Sequence, residues 1–191
     1  DFEYFSHKYE IEPMTGAEWN LRDIRPANHP LLRIAQLAAF LASNDFLIDR
    51  LVECRTEEDV HRLFSAEASD YWYTHYIPAS ATHELPKRIG RMKSDLLGIN
   101  LVALIQYAYG AYNGSEQLRE RAFALLEAIP AEENRFMRRW RFYDLHPANA
   151  FESQALLQLA TEYCDRRRCA KCPVGRRRLV TLKQTHPADE S

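Results

Sequence analysis

The last part of the chain carries three cysteines at spacings that suit metal binding. Cys164 comes five residues before Cys169, and Cys169 forms a C-x-x-C pair with Cys172. Two thiolates at this spacing can bind one metal, because the turn between them brings both sulfurs to about the same point. We expect these cysteines to hold zinc, while an iron–sulfur cluster and three ordinary thiols without metal stay open as alternatives.

A fourth ligand is not evident beside the three cysteines. The candidates are Cys54, His146 and His186, and each needs the fold to bring it close. Three of the four cysteines fall within nine residues, which is a poor distribution for a disulfide scaffold. A chain of 191 residues can also bury a core without covalent bridges. We therefore expect a reducing, cytoplasmic location.

The same segment is strongly basic. From Cys164 to Lys183 there are eight Lys/Arg against Asp165 alone, a charge of +7, so the remainder of this −2 chain carries −9. Such a cluster can contact phosphates, so we expect nucleic acid as a partner. The alternative is a solvated, soluble tail. The residues assigned to nucleic-acid binding are Arg166, Arg167, Arg168, Lys171, Arg176, Arg177 and Arg178.

A second group of polar residues surrounds a proline-braced loop and the start of the helix that follows it. These residues suggest a small-molecule pocket, although polar side chains in such places more often cap helices and pin loops. No Ser or Cys nucleophile is placed near the histidine of this group, so we assign no catalytic residue. The pocket candidates are Arg25, Asn28, Arg33, Gln36, His75 and Asn100.

The elements that position these residues read as helices. Apolar residues recur at helical spacing from Pro30 onward, with Thr56, Ser115 and Asn149 placed as N-caps. The run from Ser94 to Tyr109 is apolar on nearly every side, which predicts a buried central helix. The sequence thus predicts an all-α fold: a single compact domain of about seven helices with a short, cysteine-bearing basic C-terminal extension.

The predicted organisation has three parts. Residues 1–28 form an aromatic segment and a proline-braced loop, 29–164 the helical core, and 165–191 the basic cysteine-containing tail. No signal peptide is evident at the start, and the most apolar run is too short to cross a bilayer, so we expect no membrane partner. Because the chain begins at Asp1 without an initiator Met, we also expect a fragment of a longer protein.

Several motifs together follow the pattern of one protein family. They include Trp19-Asn20, Arg25-Pro26-Ala27-Asn28-His29-Pro30-Leu31, Tyr71-Trp72-x-x-His75-Tyr76, Glu133-Asn134, Trp140, Ala150-x-x-Ser153-Gln154 and Tyr163-Cys164-x4-Cys169-x2-Cys172-x2-Gly175. Over most of residues 13–180 the chain resembles the C-terminal half of domain-of-unknown-function family 2851, a group of uncharacterised bacterial proteins. The longer members resemble a restriction-endonuclease-like core in their N-terminal half. The resemblance therefore implies a helical companion of a suspected nuclease domain.

These observations favour a binding or positioning module of a larger bacterial protein. Nucleic-acid contact would run through the basic, metal-stiffened C-terminus, with an N-terminal domain of the same protein as a second partner. The sequence favours a non-catalytic role for this chain without deciding the question. Two alternatives stay open: an enzyme domain built around the candidate pocket, and a purely structural scaffold for the N-terminal half.

Overall fold

Helices make up most of the chain, which confirms the predicted all-α class. The computed structural model describes residues 1–19, 21, 24–78 and 80–177. Within these ranges the α-helices are α1 (Phe2–Tyr9), α2 (Pro30–Ser43), α3 (Leu47–Glu53), α4 (Glu57–Leu63), α5 (Arg91–Leu97), α6 (Ala103–Tyr112), α7 (Glu116–Ala128), α8 (Arg135–Phe142) and α9 (Ala150–Gln158). A π-helical turn, Gly98–Val102, joins α5 to α6, and a second, Leu159–Cys164, extends α9.

Each helix predicted from Pro30 onward has its counterpart, and the three predicted N-caps, Thr56, Ser115 and Asn149, are confirmed. Thr56 Oγ1 accepts a hydrogen bond from the Asp59 N–H at 3.1 Å, and Ser115 Oγ accepts one from the Leu118 N–H. Asn149 Oδ1 likewise accepts from the Glu152 N–H at 3.0 Å. These caps satisfy backbone donors that a helix start leaves without partners. Helix α1 was not predicted.

The backbone divides into two compact units, and the chain passes from the first to the second, returns to the first and enters the second again. The first contains residues 1–43 and 66–88, and the second contains residues 44–65 together with the chain from Ile89. The three predicted ranges, 1–28, 29–164 and 165–191, stay a prediction.

The first unit contains α1, α2 and a small hairpin. Strands β1 (His75–Ile77) and β2 (Ser80–Ala81) pair antiparallel. Helix α2 buries Leu32, Gln36 and Phe40, whereas Leu31, Ile34 and Leu41, on the apolar face seen in the sequence, are 38–52% exposed. The first unit thus packs along the stripe that contains Gln36.

Lys87 connects several segments of the first unit through hydrogen bonds. It is 3% exposed, and its Nζ donates to the carbonyls of Tyr73 at 2.9 Å and Leu85 at 3.0 Å. The ammonium also lies 4.1 Å from the ring centroid of Tyr76, a favourable cation–π contact. The Lys87 carbonyl in turn accepts from Gln36 Nε2 at 3.0 Å. A buried cation is therefore held by carbonyl dipoles and a ring face.

The second unit is organised around the α5–π–α6 helix, which packs on α3, α4 and α7. Gly98 permits this packing, since a Cβ there would lie 2.7 Å from Ile129 Cδ1. Its core residues include Leu51, Val60, Ile99, Val102, Leu125, Ile129, Met137 and Ala160.

The prediction that this central helix is buried all round was wrong. One face carries Gly98, Val102 and Gln106 into the core. The opposite face leaves Leu104 61% and Tyr107 42% exposed. The cause is that the helices packed against it meet a single face, so apolar composition alone overstated the burial.

No single described helix is long and apolar enough to cross a membrane; by length and composition alone, α2 and α3 would qualify only as a bent pair.

Candidate metal and nucleic-acid site at the cysteine-bearing end

The cysteine-bearing end begins where the π-turn extension of α9 finishes. Cys164 closes that turn, and the chain reverses through Arg167, whose φ of 52° is left-handed. The Cys172 N–H donates to the Cys169 carbonyl at 3.2 Å, and the Gly175 N–H donates to Cys172 Sγ at 3.5 Å. These two hydrogen bonds belong to one turn that runs from Cys169 to Gly175.

Gly175 is required by the close approach of two backbones. A Cβ at this position would lie 2.4 Å from the Cys169 carbonyl oxygen, well inside van der Waals contact. Only glycine permits the turn from Cys169 to Gly175 in this form. The C-x-x-C-x-x-G spacing of the sequence therefore has a definite steric meaning.

The three thiols influence one another but are not gathered at ligand distance. Burial raises the pKa of the Cys164 thiol, the Arg139 guanidinium opposes that shift, and the neighbouring Cys172 and Cys169 raise it further. Cys164 is half-buried, Cys169 exposed and Cys172 buried. Among the described residues their sulfurs do not all lie within 4.8 Å of one another. A metal bound by all three would draw them closer.

The candidates for a fourth ligand differ in their surroundings. Cys54 is 4% exposed and donates to the Arg50 carbonyl at 3.4 Å. Burial, together with the Asp59 and Glu53 carboxylates, raises the pKa of Cys54 to about 11. His146 is exposed and lies 3.2 Å from Asp144 Oδ1, while His186 falls outside the described residues. A fourth ligand from this set stays a prediction.

The cations predicted to bind nucleic acid differ in their pairing. Arg166 forms an ion pair with Glu162 at 2.8 Å. Within the described ranges no carboxylate pairs with the exposed side chains of Arg167, Arg168, Lys171 and Arg176. Arg177 is exposed, and Arg178 lies outside the described residues. Arg168 and Lys171 also line a cleft of about 320 Å³, beside Glu162 and Tyr163.

Helix α8 adds cations that the sequence analysis missed. Arg139 forms an ion pair with Asp165 at 2.7 Å, which joins α8 to the cysteine-bearing end. Arg135, Arg138 and Arg139 lie on one exposed stripe with Phe142, which is 84% exposed, because positions three, four and seven apart share a helix face. The opposite side is anchored by Trp140 Nε1, which donates to the Leu156 carbonyl at 3.0 Å. A charge count of residues 135–141 could have found this stripe.

Three residues of the predicted pocket form one hydrogen-bond network. Arg33 donates to the Ala27 carbonyl and to Asn28 Oδ1, both at 2.8 Å. Its other nitrogen donates to Gln36 Oε1 at 2.6 Å, and burial lowers the pKa of Arg33. These bonds pin the proline-braced loop to the first turns of α2.

The remaining pocket candidates add no described side-chain hydrogen bond to that network, and Arg25 joins it only through its backbone carbonyl, which accepts from the Asn28 N–H at 2.8 Å. Arg25 is exposed. His75 stacks on Tyr71 with ring centroids 4.2 Å apart, and its Nδ1 lies 2.9 Å from the Tyr71 carbonyl. Asn100 belongs to the second unit and donates to the Leu96 carbonyl of its own helix at 2.9 Å. A small-molecule pocket stays a prediction.

Comparison with known proteins identifies a family for the chain without assigning an activity. A family model described as "Protein of unknown function (DUF2851)" matches residues 1–135. No curated protein and no solved structure matches significantly. The matched range ends at the first residue of α8, so the cysteine-bearing end lies outside it.

Proposed function

This chain belongs to the DUF2851 family of proteins of unknown function, and we propose that it is a binding module that contacts nucleic acid through a basic surface at its C-terminal end. We define the basic surface as the α8 stripe together with the cations of the cysteine-bearing end that no described carboxylate pairs. Its members are Arg135, Arg138, Arg139, Phe142, Arg167, Arg168, Lys171 and Arg176.

The observation that carries the proposal is the ion pair between Arg139 and Asp165. It places the stripe of α8 beside the cysteine-bearing end and offsets the one carboxylate of residues 164–177. Residues 135–177 carry ten Lys/Arg against four Asp/Glu, a charge of +6 in a chain whose net charge is −2. Such a local excess of cations attracts polyanions, and the phosphate backbone of a nucleic acid is one.

Exposed aromatic rings next to the cations favour single-stranded nucleic acid. Phe142 is 84% and Tyr143 63% exposed, at the end of α8. Their ring centroids are 5.3 Å apart in an edge-to-face arrangement. Both rings are exposed to solvent. Unpaired bases stack on such rings, whereas a duplex keeps its bases inside.

The binding test is fluorescence anisotropy of a labelled single-stranded DNA against the full chain over a series of salt concentrations. We expect Arg167→Ala, Arg168→Ala and Lys171→Ala combined to weaken binding at least tenfold. The slope of log K against log salt should fall by about 2, since each phosphate contact on a single strand contributes about 0.7.

The matched control removes three exposed cations elsewhere in the second unit, through Arg50→Ala, Arg55→Ala and Arg62→Ala. It changes the net charge equally, so its affinity should stay close to that of the wild type. Absence of binding, affinity that does not depend on salt, or equal losses in both triple variants would contradict the proposal.

A metal held by Cys164, Cys169 and Cys172 is the second part of the proposal. Its support is the Cys169–Gly175 turn, which has a backbone N–H directed at Cys172 Sγ and a glycine where no side chain fits. Zinc, or an iron–sulfur cluster as the alternative, would stiffen the backbone that presents Arg167 to Lys171. Because the ligands must lose their protons, the metal should bind more tightly as pH rises.

Elemental analysis of protein purified without chelator tests the metal. We expect about one equivalent of zinc, or about two to four of iron for an iron–sulfur cluster, in the wild type and its loss in Cys169→Ser and Cys172→Ser, since structural thiolate sites bind tightly. Gly175→Ala should weaken binding, whereas Gly90→Ala is the control, because a Cβ there meets nothing within 4 Å. A content below about half an equivalent, or one unchanged by the cysteine variants, would refute this part.

A further inference from the structure

A buried histidine of the second unit is surrounded by three carboxylates. His61 lies on α4 with 7% of its side chain exposed. Its Nε2 is 2.6 Å from Asp95 Oδ1 and 3.6 Å from Glu57 Oε1, and its Nδ1 is 3.8 Å from Glu58 Oε2. None of these residues belongs to the basic surface or to the cysteine-bearing end.

Two helices bring the group together. Glu57 and His61 are four residues apart in α4 and therefore share one face. Asp95 comes from α5, which packs against α4. Within the described ranges, Glu57, His61 and Asp95 form the one set of three metal-ligating side chains whose ligand atoms all lie within 4.8 Å of one another.

The second nitrogen of the imidazole provides an independent observation. Nδ1 is buried and has no hydrogen-bond partner in the described part of the chain. If a neutral ring donates its Nε2–H to Asp95, the lone pair on Nδ1 stays buried without a donor. If Nε2 instead binds a cation, Nδ1 carries the proton and faces the Glu58 carboxylate, which is the arrangement that metal-ligating histidines adopt in proteins.

We propose that Glu57, His61 and Asp95 bind one divalent transition-metal ion of the Mn²⁺ class. Two carboxylate oxygens and one imidazole nitrogen are ligands that such ions accept. The carboxylates of Glu57 and Asp95 balance the charge of the ion. Arg91 forms an ion pair at 3.4 Å with Glu58, the carboxylate that faces Nδ1. Glu57 is 35% and Asp95 20% exposed, so water can complete the coordination.

Only a small movement is needed to admit an ion. Ligands at about 2.1 Å from a metal are about 3 Å apart when they occupy adjacent positions. The distances from Nε2 to Asp95 and Glu57, 2.6 and 3.6 Å, fall on either side of that value. A rotation of the Asp95 and Glu57 side chains would therefore suffice, without a change in the backbone of α4 or α5.

The test is titration of the full chain with Mn²⁺. The electron paramagnetic resonance signal of the free ion measures how much Mn²⁺ stays unbound. Mn²⁺ is the probe because thiolates bind it poorly, so the cysteine-bearing end does not contribute. We expect one equivalent to bind, and the thermal unfolding midpoint to rise with the Mn²⁺ concentration, because the ion binds the folded chain alone.

Asp95→Asn and Glu57→Gln should each raise the dissociation constant for Mn²⁺ at least tenfold, since each keeps the side-chain shape and removes a charged ligand. Glu57 is partly exposed, so Glu57→Gln remains informative even if Asp95→Asn fails to fold. The matched control is Glu120→Gln, which removes one exposed carboxylate of α7 and should leave the constant unchanged.

The rival arrangement is an ordinary ion pair between a protonated His61 and Asp95. It predicts no stoichiometric Mn²⁺ binding by the wild type, and that result would overturn the proposal. Weak binding shared equally by Asp95→Asn, Glu57→Gln and Glu120→Gln would overturn it as well, because it would reflect surface charge alone.

Discussion

Cys54, at the end of α3, shows how a single buried group links stability to pH. The residue is 4% exposed, and burial, with smaller contributions from Asp59 and Glu53, raises the pKa of its thiol from 9.0 to about 11. A thiol that keeps its proton is a weak nucleophile and a weak metal ligand at neutral pH. The residue therefore behaves as a small core side chain under ordinary conditions.

The free energy of unfolding should fall as pH rises from 9 to about 11. In that range the thiol ionises in the unfolded chain but not in the folded one, so deprotonation favours unfolding. A shift of two units corresponds to at most about 2.7 kcal/mol. Urea unfolding of the wild type and Cys54→Ala at several pH values measures the effect, because other titrating groups are common to both.

Cys54→Ala loses some core packing at pH 8 and so starts less stable. The difference in the free energy of unfolding between the two proteins should then narrow toward pH 11, because only the wild type has a thiol at position 54 whose ionisation favours unfolding. A difference that stays constant across this range would show that Cys54 has no raised pKa.

Glu57 and His61 illustrate a residue-scale signal that the sequence analysis passed over. Their spacing of four places an acid and an imidazole on one helix face, and this can be read from the sequence. Asp95 could not have been added to the pair, because it lies 34 residues from His61 in the chain. Spacing alone could therefore have suggested two of the proposed ligands, and the packing of α4 on α5 supplies the third.

At the scale of elements, the short helix α3 depends on side chains from its neighbours. Gln106 of α6 is fully buried, and its Nε2 donates to the carbonyls of Leu51 at 2.9 Å and Cys54 at 2.7 Å. Arg121 of α7 donates to the Val52 carbonyl at 2.9 Å. The last carbonyls of a helix need such partners when they are away from water.

Gln106→Leu should lower the free energy of unfolding by about 2–4 kcal/mol. The variant keeps the volume of the side chain but leaves two buried carbonyls without donors, each at about 1–3 kcal/mol. It also removes Gln106 Oε1, which is buried without a hydrogen-bond partner among the described residues, and this offsets part of the loss. Chemical denaturation measures the loss. Gln117→Leu, at an exposed position of α7, is the control and should change stability by less than about 0.5 kcal/mol. Equal effects of the two substitutions would contradict the capping role of Gln106.

At the scale of the whole molecule, the separation of charge matters more than the net value. The chain carries −2, but residues 135–177 carry +6, so the remainder carries −8. Net charge alone would argue against a polyanionic partner. A local field acts over about 8–10 Å at physiological salt, so a phosphate near α8 responds to the nearby arginines. The steep salt dependence expected for nucleic-acid binding follows from this separation.

The sequence by itself determined the features that depend on near neighbours in the chain. Helical periodicity and N-caps such as Thr56 and Asn149 depend on residues three or four positions apart, and they predicted the helices from Pro30 onward. The motifs identified the family, whose model matches residues 1–135. The C-x-x-C spacing of Cys169 and Cys172 indicated a turn, and in the structure the Cys172 N–H donates to the Cys169 carbonyl there.

Only the tertiary structure decided which helix faces are buried and which distant groups meet. Helix α2 packs through the face of Leu32, Gln36 and Phe40 rather than through Ile34, and on that face Gln36 donates to the Lys87 carbonyl, 51 residues away in the chain. The pairing of Arg139 with Asp165, 26 residues apart, and of His61 with Asp95 depends on how helices pack. Packing minimises exposed apolar area and unpaired polar groups over a whole unit at once, so no local pattern contains it.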